Sequence, residues 1–305
     1  MDTVLKEKIN LGISACMYGC KVRYNKKGWN MSELFGRDQT SFIWHPVCPE
    51  SLSGMGIPRS PIRVIGESGR AVLEGNAKIK NREGKDVTDM LIKGCNASIE
   101  ALERANVFAF VYMEGSPSCG VYRTTLKNNR MGKPPGVFGA MLLDRDFFLI
   151  PANDLQSPVR RWDWKRRLYA FAWAKEVDIN SKDDLFQFWH IVKFLCQEID
   201  EKTAREIGKR LAELPKGFDK ESAETLRHEV MMILRQPSSL EKIKNRLWKH
   251  YMYFKRKTGV ELENVMEPTD MRNMNHIADE LMLMEKTSFS TEVLFGAAPI
   301  LYRGR

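Results

Sequence analysis

No apolar run in this chain approaches the roughly 20 residues needed to cross a bilayer, so no transmembrane helix is expected. There is no Cys-x-x-Cys pair, the close pairing a structural zinc site normally carries. The opening MDTVLKEKINLGISAC has acidic residues but neither a long apolar stretch nor a cleavage-like end. That excludes a secretory signal and makes the expected location cytoplasmic. Internal repeats and low-complexity tracts are missing as well.

What remains is a chain of 305 residues, 43% hydrophobic and 29% charged, the composition of a soluble globular protein long enough for two domains. The net charge is +9, and about two-thirds of the excess falls in residues 1–150, where it suits an anionic or polar ligand. The segment RRWDWKRR (160–167) is the best support for nucleic-acid binding, and a charged helix start explains it equally well.

Short apolar runs at INLGISAC (9–16), SFIWHPVCPE (41–50) and ANVFAFVYME (105–114) read as strands that end in loops. Between them, residues 87–105 place Met90, Leu91, Cys95, Ile99 and Leu102 at helical spacing, with Asp86 or Thr88 able to cap the start. GVFGAMLL (136–143) reads as a buried helix. This alternation predicts an α/β fold: an open Rossmann-like sheet with helices on both faces. From about 160 the texture changes. RWDWKRRLYAFAWAKE, DLFQFWHIVKFLCQEI, EKTAREIGKRLAEL, SAETLRHEVMMILRQ and SLEKIKNRLWKHYMYFKRKTG read as amphipathic helices separated by PKG and QPSS breaks. The expected division is an α/β domain over 1–155 and an all-α domain over 156–305, joined through PANDLQSP (151–158). The Met-rich tail after 265 shows little periodicity.

Six cysteines stand at 16, 20, 48, 95, 119 and 196, too irregularly for the disulfide framework of a small secreted fold. Cys95 and Cys196 lie on apolar helix faces and are expected in the core. Cys16, Cys48 and Cys119 each follow a strand, and open α/β sheets bind ligands beyond the carboxyl ends of their strands. Thiolates favour soft metals and iron–sulfur clusters. Chance burial of small side chains explains the three cysteines as well, on position alone.

Four segments, SACMYGCKVRYN (14–25), CPESLSGMGIPRSP (48–61), GKDVT (84–88) and SPSCG (116–120), resemble the thiouracil desulfidase family in order and separation. The resemblance covers roughly residues 8–150. It implies a 4Fe-4S cluster held by Cys16, Cys48 and Cys119. The free fourth iron would bind the thione sulfur of a thiolated pyrimidine, and hydrolysis would release that sulfur as hydrogen sulfide without redox chemistry. Glu50 and Ser116 match the family's carboxylate–serine pair, while Ser14 and Ser118 are placed to donate hydrogen bonds to cluster sulfurs. The small-molecule partner would be a thiouracil-type base or a tRNA-derived nucleoside.

Cys20 departs from the implied trio; at the cluster it would fill the open position. The basic segment GESGRAVLEGNAKIKNREGKDVT departs too, and is placed to shape substrate access. Arg23, Tyr24 and Arg59 read chiefly as structural residues, with Arg23 and Tyr24 able to orient a carbonyl or anionic substrate. In the helical region, which is similar to a domain often fused behind these desulfidases, a lone His190 and a lone His250 are better read as packing or capping than as metal ligands. Trp162, Trp164, Trp173, Trp189 and Trp248 are expected in a core or domain interface. Basic residues at 243–257 read as a solvated helix face before a tRNA contact. The rivals are an iron–sulfur sensor, which needs no proton-transfer pair, and a zinc-stabilised nucleic-acid-binding protein.

Overall fold

The structure is a computed structural model that describes residues 1–125, 130–214 and 219–304. It divides into two compact units, Lys8–Gln156 and a second made of Met1–Glu7 with Ser157–Arg305. The expected PKG break (215–217) lies outside the described residues.

The first strand, β1 (Val4–Leu5), belongs to the second unit, where it pairs in parallel with β8 (Leu301–Tyr302). Among the described residues the α/β unit is built on β2 (Ile9–Ser14), β3 (Phe42–Val47), β6 (Ala109–Tyr112) and β7 (Phe148–Pro151). All pair in parallel, in the order β3-β2-β6-β7. The α/β class and the parallel sheet are as expected. The chain leaves β2 for β3 on one side, then returns to place β6 on the other, so the topological switch point lies between β2 and β6. Strands β6 and β7 are almost wholly buried apolar runs, as a parallel sheet covered by other layers requires.

A separate antiparallel pair of β4 (Ile62–Ile65) and β5 (Lys78–Asn81) precedes the main helix; the short helix α1 (Pro49–Leu52) comes before it, and α2 (Gly69–Leu73) lies in the connection between its strands. Helix α3 (Thr88–Arg104) buries Leu91, Cys95, Ile99 and Leu102 in one cluster with Phe110 and Phe138, the latter on α4 (Val137–Leu143). Met90, expected on that face, is exposed instead, because it neighbours Leu91 and falls outside the stripe set by Leu91, Cys95, Ile99 and Leu102. Asp86 accepts the Thr88 N–H at 3.0 Å and its hydroxyl at 2.6 Å, holding the helix start.

The helical unit holds α5 (Pro158–Glu176), α6 (Lys182–Ile199), α7 (Glu201–Ala212), α8 (Lys220–Leu234), α9 (Leu240–Thr258) and α10 (Met274–Ser290). Each begins at a capping side chain that accepts a backbone N–H: Ser157, Ser181, Asp200, Asp219, Ser239 and Asn273. Helix α9 ends at Gly259, whose φ of 71° is the left-handed cap that glycine adopts without strain. Its buried stripe is Ile243, Leu247, Tyr251 and Phe254. Trp162, Trp164, Trp173 and Trp189 are buried, and Trp248 packs partly buried against the core that holds Trp162.

Two arginines of RRWDWKRR, in the first half of α5, are core residues. Arg166 and Arg167 are 1% and 0% exposed. Arg166 bonds Asp163 at 2.7 and 2.9 Å and clasps both Glu198 oxygens, one of them at 3.0 Å. Arg167 reaches Asp163 at 2.9 Å and the Leu234 carbonyl at 3.0 Å. Both stack on tryptophans, Trp162 at 4.4 Å and Trp164 at 3.8 Å. Two of the five basic residues of the segment therefore lie in a core, where they cannot face a nucleic acid. Among the described residues no helix is long and apolar enough to cross a membrane.

Candidate active site

The three strand ends around the switch point each deliver one cysteine. After β2, a short 3-10 turn (Ala15–Met17) carries Cys16, whose carbonyl is pinned by the Trp29 N–H at 2.7 Å. After β3, Cys48 stands just before α1; Pro49 sets the first helical turn, and the Cys48 carbonyl accepts the N–H groups of Ser51 and Leu52. A Cβ on Gly94 of α3 would lie 2.2 Å from the Pro49 carbonyl oxygen, so glycine alone lets α3 seat the Cys48 turn this closely. After β6 the chain turns through SPSCG, and the Met113 N–H donates to Ser14 Oγ at 3.2 Å, stitching the ends of β2 and β6 together.

Cys16, Cys48 and Cys119 line one cavity of about 670 Å³ with Ser14, Glu50, Ser116 and Ser118. The sequence-predicted site residues are therefore all brought to one place. Cys20 is not among the lining residues, and Cys95 and Cys196 are fully buried in cores. Burial first, then the neighbouring Cys48, pushes the Cys16 thiol up to about 12. Burial also raises the Cys119 thiol, followed by Cys48 and Cys16. Among the described residues no group of three His, Cys, Asp or Glu side chains is arranged to hold a metal ion.

Beside the thiols runs a chain of hydrogen bonds. Ser116 Oγ accepts the backbone N–H groups of Ser118 (3.3 Å) and Cys119 (3.1 Å), the turn role expected of a serine there. It also sits 2.9 Å from Ser118 Oγ, which donates to Glu50 Oε1 at 2.7 Å. With its one hydrogen given to Glu50, Ser118 accepts from Ser116, so the donors run from Ser116 through Ser118 to Glu50. Ser118 lies 3.8 Å from the Cys119 sulfur, a much weaker contact than its bond to the carboxylate.

Glu50 ends at Arg59. The Nε and Nη2 groups both meet Oε2, at 2.8 and 2.6 Å, with the two side chains 14% and 5% exposed. Arg59 is the residue that sequence reasoning undervalued. Its signal was the carboxylate itself, since a half-buried acid beside cysteines needs a counter-charge. Glu50 is the one acid among the lining residues, facing the cations Arg23, Arg59, Arg63, Arg82 and Lys133. Arg23 stacks on Trp29 at 4.8 Å and on Tyr24 at 5.7 Å. In the other unit His190 is exposed, while His250 packs edge-on against Phe194 and Phe295.

Known proteins resemble about half of the chain. The protein is 32% identical to the uncharacterized protein YbbK of Bacillus subtilis (strain 168) over 150 residues, which is 48% of this chain and 97% of that one. A solved structure of the [4Fe-4S]-dependent thiouracil desulfidase TudS is similar at 24% identity, over 50% of this chain and 94% of that one, with a TM-score of 0.38. The family profile of the 2-thiouracil desulfurases matches residues 11–154, a span that contains all four sequence segments quoted above. By that match and the near-complete coverage of its Bacillus relative, this chain belongs to the 2-thiouracil desulfurase family.

Proposed function

We propose that the α/β unit is a hydrolytic desulfidase that removes the thione sulfur of a thiouracil-type base or nucleoside, using a 4Fe-4S cluster held by Cys16, Cys48 and Cys119. The observation that carries the reading is the meeting of three thiols, from three strand ends, with a carboxylate–hydroxyl chain in one cavity. The donor set fits the cluster. Burial and repulsion from neighbouring groups oppose ionising the Cys16 and Cys119 thiols, and a cationic iron centre would relieve both. Three cysteines leave one iron without a protein ligand, and Cys20 lies outside the cavity lining. When bound, the cluster supplies Lewis acidity at that iron, drawing electron density from a C=S bond.

The chain's own residues do the proton work. Glu50 takes a proton from the water that attacks the thione carbon, and the Ser116 hydroxyl gives a proton toward the ring. Ser118 joins the two, so that a proton lost at one end can be made good from the other. Water and the thione become a carbonyl and hydrogen sulfide, with no net electron transfer. The cations around the cavity suit the electron-rich oxygens of a pyrimidine. Such nucleosides arise from thiolated tRNA, and the helical unit is accessory to this chemistry.

The test is anaerobic reconstitution followed by incubation with 2- and 4-thiouracil and their nucleosides, in the absence of a reductant. Sulfide released in equal amount to the oxygenated base is the expected result. Cluster-loaded protein that leaves every one of them intact would overturn the reading.

A further inference from the structure

The Glu50 carboxylate is not held symmetrically. Oε2 receives two N–H groups of Arg59, while Oε1 receives the Ser118 hydroxyl, so the two oxygens are distinguished by their partners. The guanidinium is itself fixed. Its Nη1 donates to the Val22 carbonyl at 2.8 Å and to the Gly56 carbonyl at 3.3 Å, and the Arg59 N–H donates to the Tyr24 carbonyl at 3.2 Å. Val22 and Tyr24 lie in the loop that follows Cys16, so Arg59 ties the segment bearing one cysteine to the carboxylate near another. Two of the other cavity cations are engaged differently: Arg23 on aromatic rings and Lys133 on the Gly66 carbonyl.

We propose that Arg59 is the positioning residue for Glu50, clamping Oε2 so that Oε1 stays aimed at Ser118 and the cavity. In its catalytic consequence this rests on the desulfidase reading. A lysine cannot do the same work, because its ammonium is a point charge and lacks the planar fork that grips one oxygen while holding a carbonyl with another N–H.

The experiment compares Arg59→Ala and Arg59→Lys in the full chain, by crystal structure without metal and by steady-state kinetics after anaerobic reconstitution. In the alanine variant the Glu50–Ser118 bond is lost. The kcat for sulfide release falls about 10²-fold, the cost of a carboxylate displaced by about an ångström, with KM and iron content unchanged. Added guanidinium restores part of the rate. Lysine gives a smaller fall in kcat, again with KM unchanged, and covers the case in which the alanine variant does not fold. A carboxylate that stays on Ser118 in either variant overturns the proposal, and so does a raised KM with kcat intact. If wild-type protein releases no sulfide, the desulfidase reading fails, and the position of Glu50 in the two variant structures still decides what Arg59 does.

Discussion

Both units bury carboxylates against guanidinium groups, and the surroundings of the two pairs differ. In the helical unit Arg166 and Arg167 spend their N–H groups on Asp163, Glu198 and main-chain carbonyls, inside a core closed by tryptophans. In the α/β unit Arg59 grips one oxygen of Glu50, and the other oxygen opens through Ser118 and Ser116 onto a cavity lined by three thiols. The charges are alike and the vacancies are not. A closed network fixes a fold, whereas a network with one oxygen facing space can exchange a proton with whatever enters.

That contrast is broken most directly by removing charge on each side. Glu50→Gln keeps the size of the side chain and its place beside Ser118 but cannot accept a proton from water. Its kcat for desulfidation should fall by about 10²–10⁴-fold with iron retained, the range expected for loss of a general base, as initial-rate kinetics would show. A variant of near-normal rate would reduce Glu50 to scaffolding. Arg166→Met leaves Glu198 buried without its main partner and should cost about 3–5 kcal/mol in urea unfolding of the full chain. A change within experimental scatter would mean that the core pair is not closed after all.

The smallest effect concerns pH. Burial, with Arg246 and Arg166 adding to it, lowers the His250 ring from 6.5 to about 4. The folded chain therefore keeps His250 neutral where the unfolded chain protonates it. Its contribution to stability is whole above pH 6.5, shrinks as the pH falls and is gone below about 4. His250→Phe should flatten that part of the stability–pH curve, measured by denaturant titration at several pH values. An unchanged slope would assign it to other groups.

The cysteine trio was legible through the family resemblance: each member follows an apolar run of strand length, but position alone left chance burial equally open. Glu50 and Ser116 came with two of those cysteines, within three residues of each. Arg59 was not legible as their partner, since its reach to Glu50 depends on the path of the loop between them. The burial of two arginines of α5 was not legible for a similar reason: Arg166 meets Glu198, 32 positions away, and Arg167 meets the Leu234 carbonyl, 67 positions away. The β4–β5 pair was missed because its strands are short and carry several charges, and α10 because a Met-rich stretch shows weak periodicity. The pairing of β1 with β8 joins opposite ends of the sequence, and no local pattern announces it.

The central claim is that Cys16, Cys48 and Cys119 hold a cluster, and the direct measurement counts iron and sulfide per chain after anaerobic reconstitution, with the visible spectrum recorded for wild type and Cys119→Ala. The account predicts about four irons and broad visible absorption in the wild type, both lost in the variant. A colourless wild-type protein holding zinc or no metal, or a variant that keeps all its iron, would contradict it.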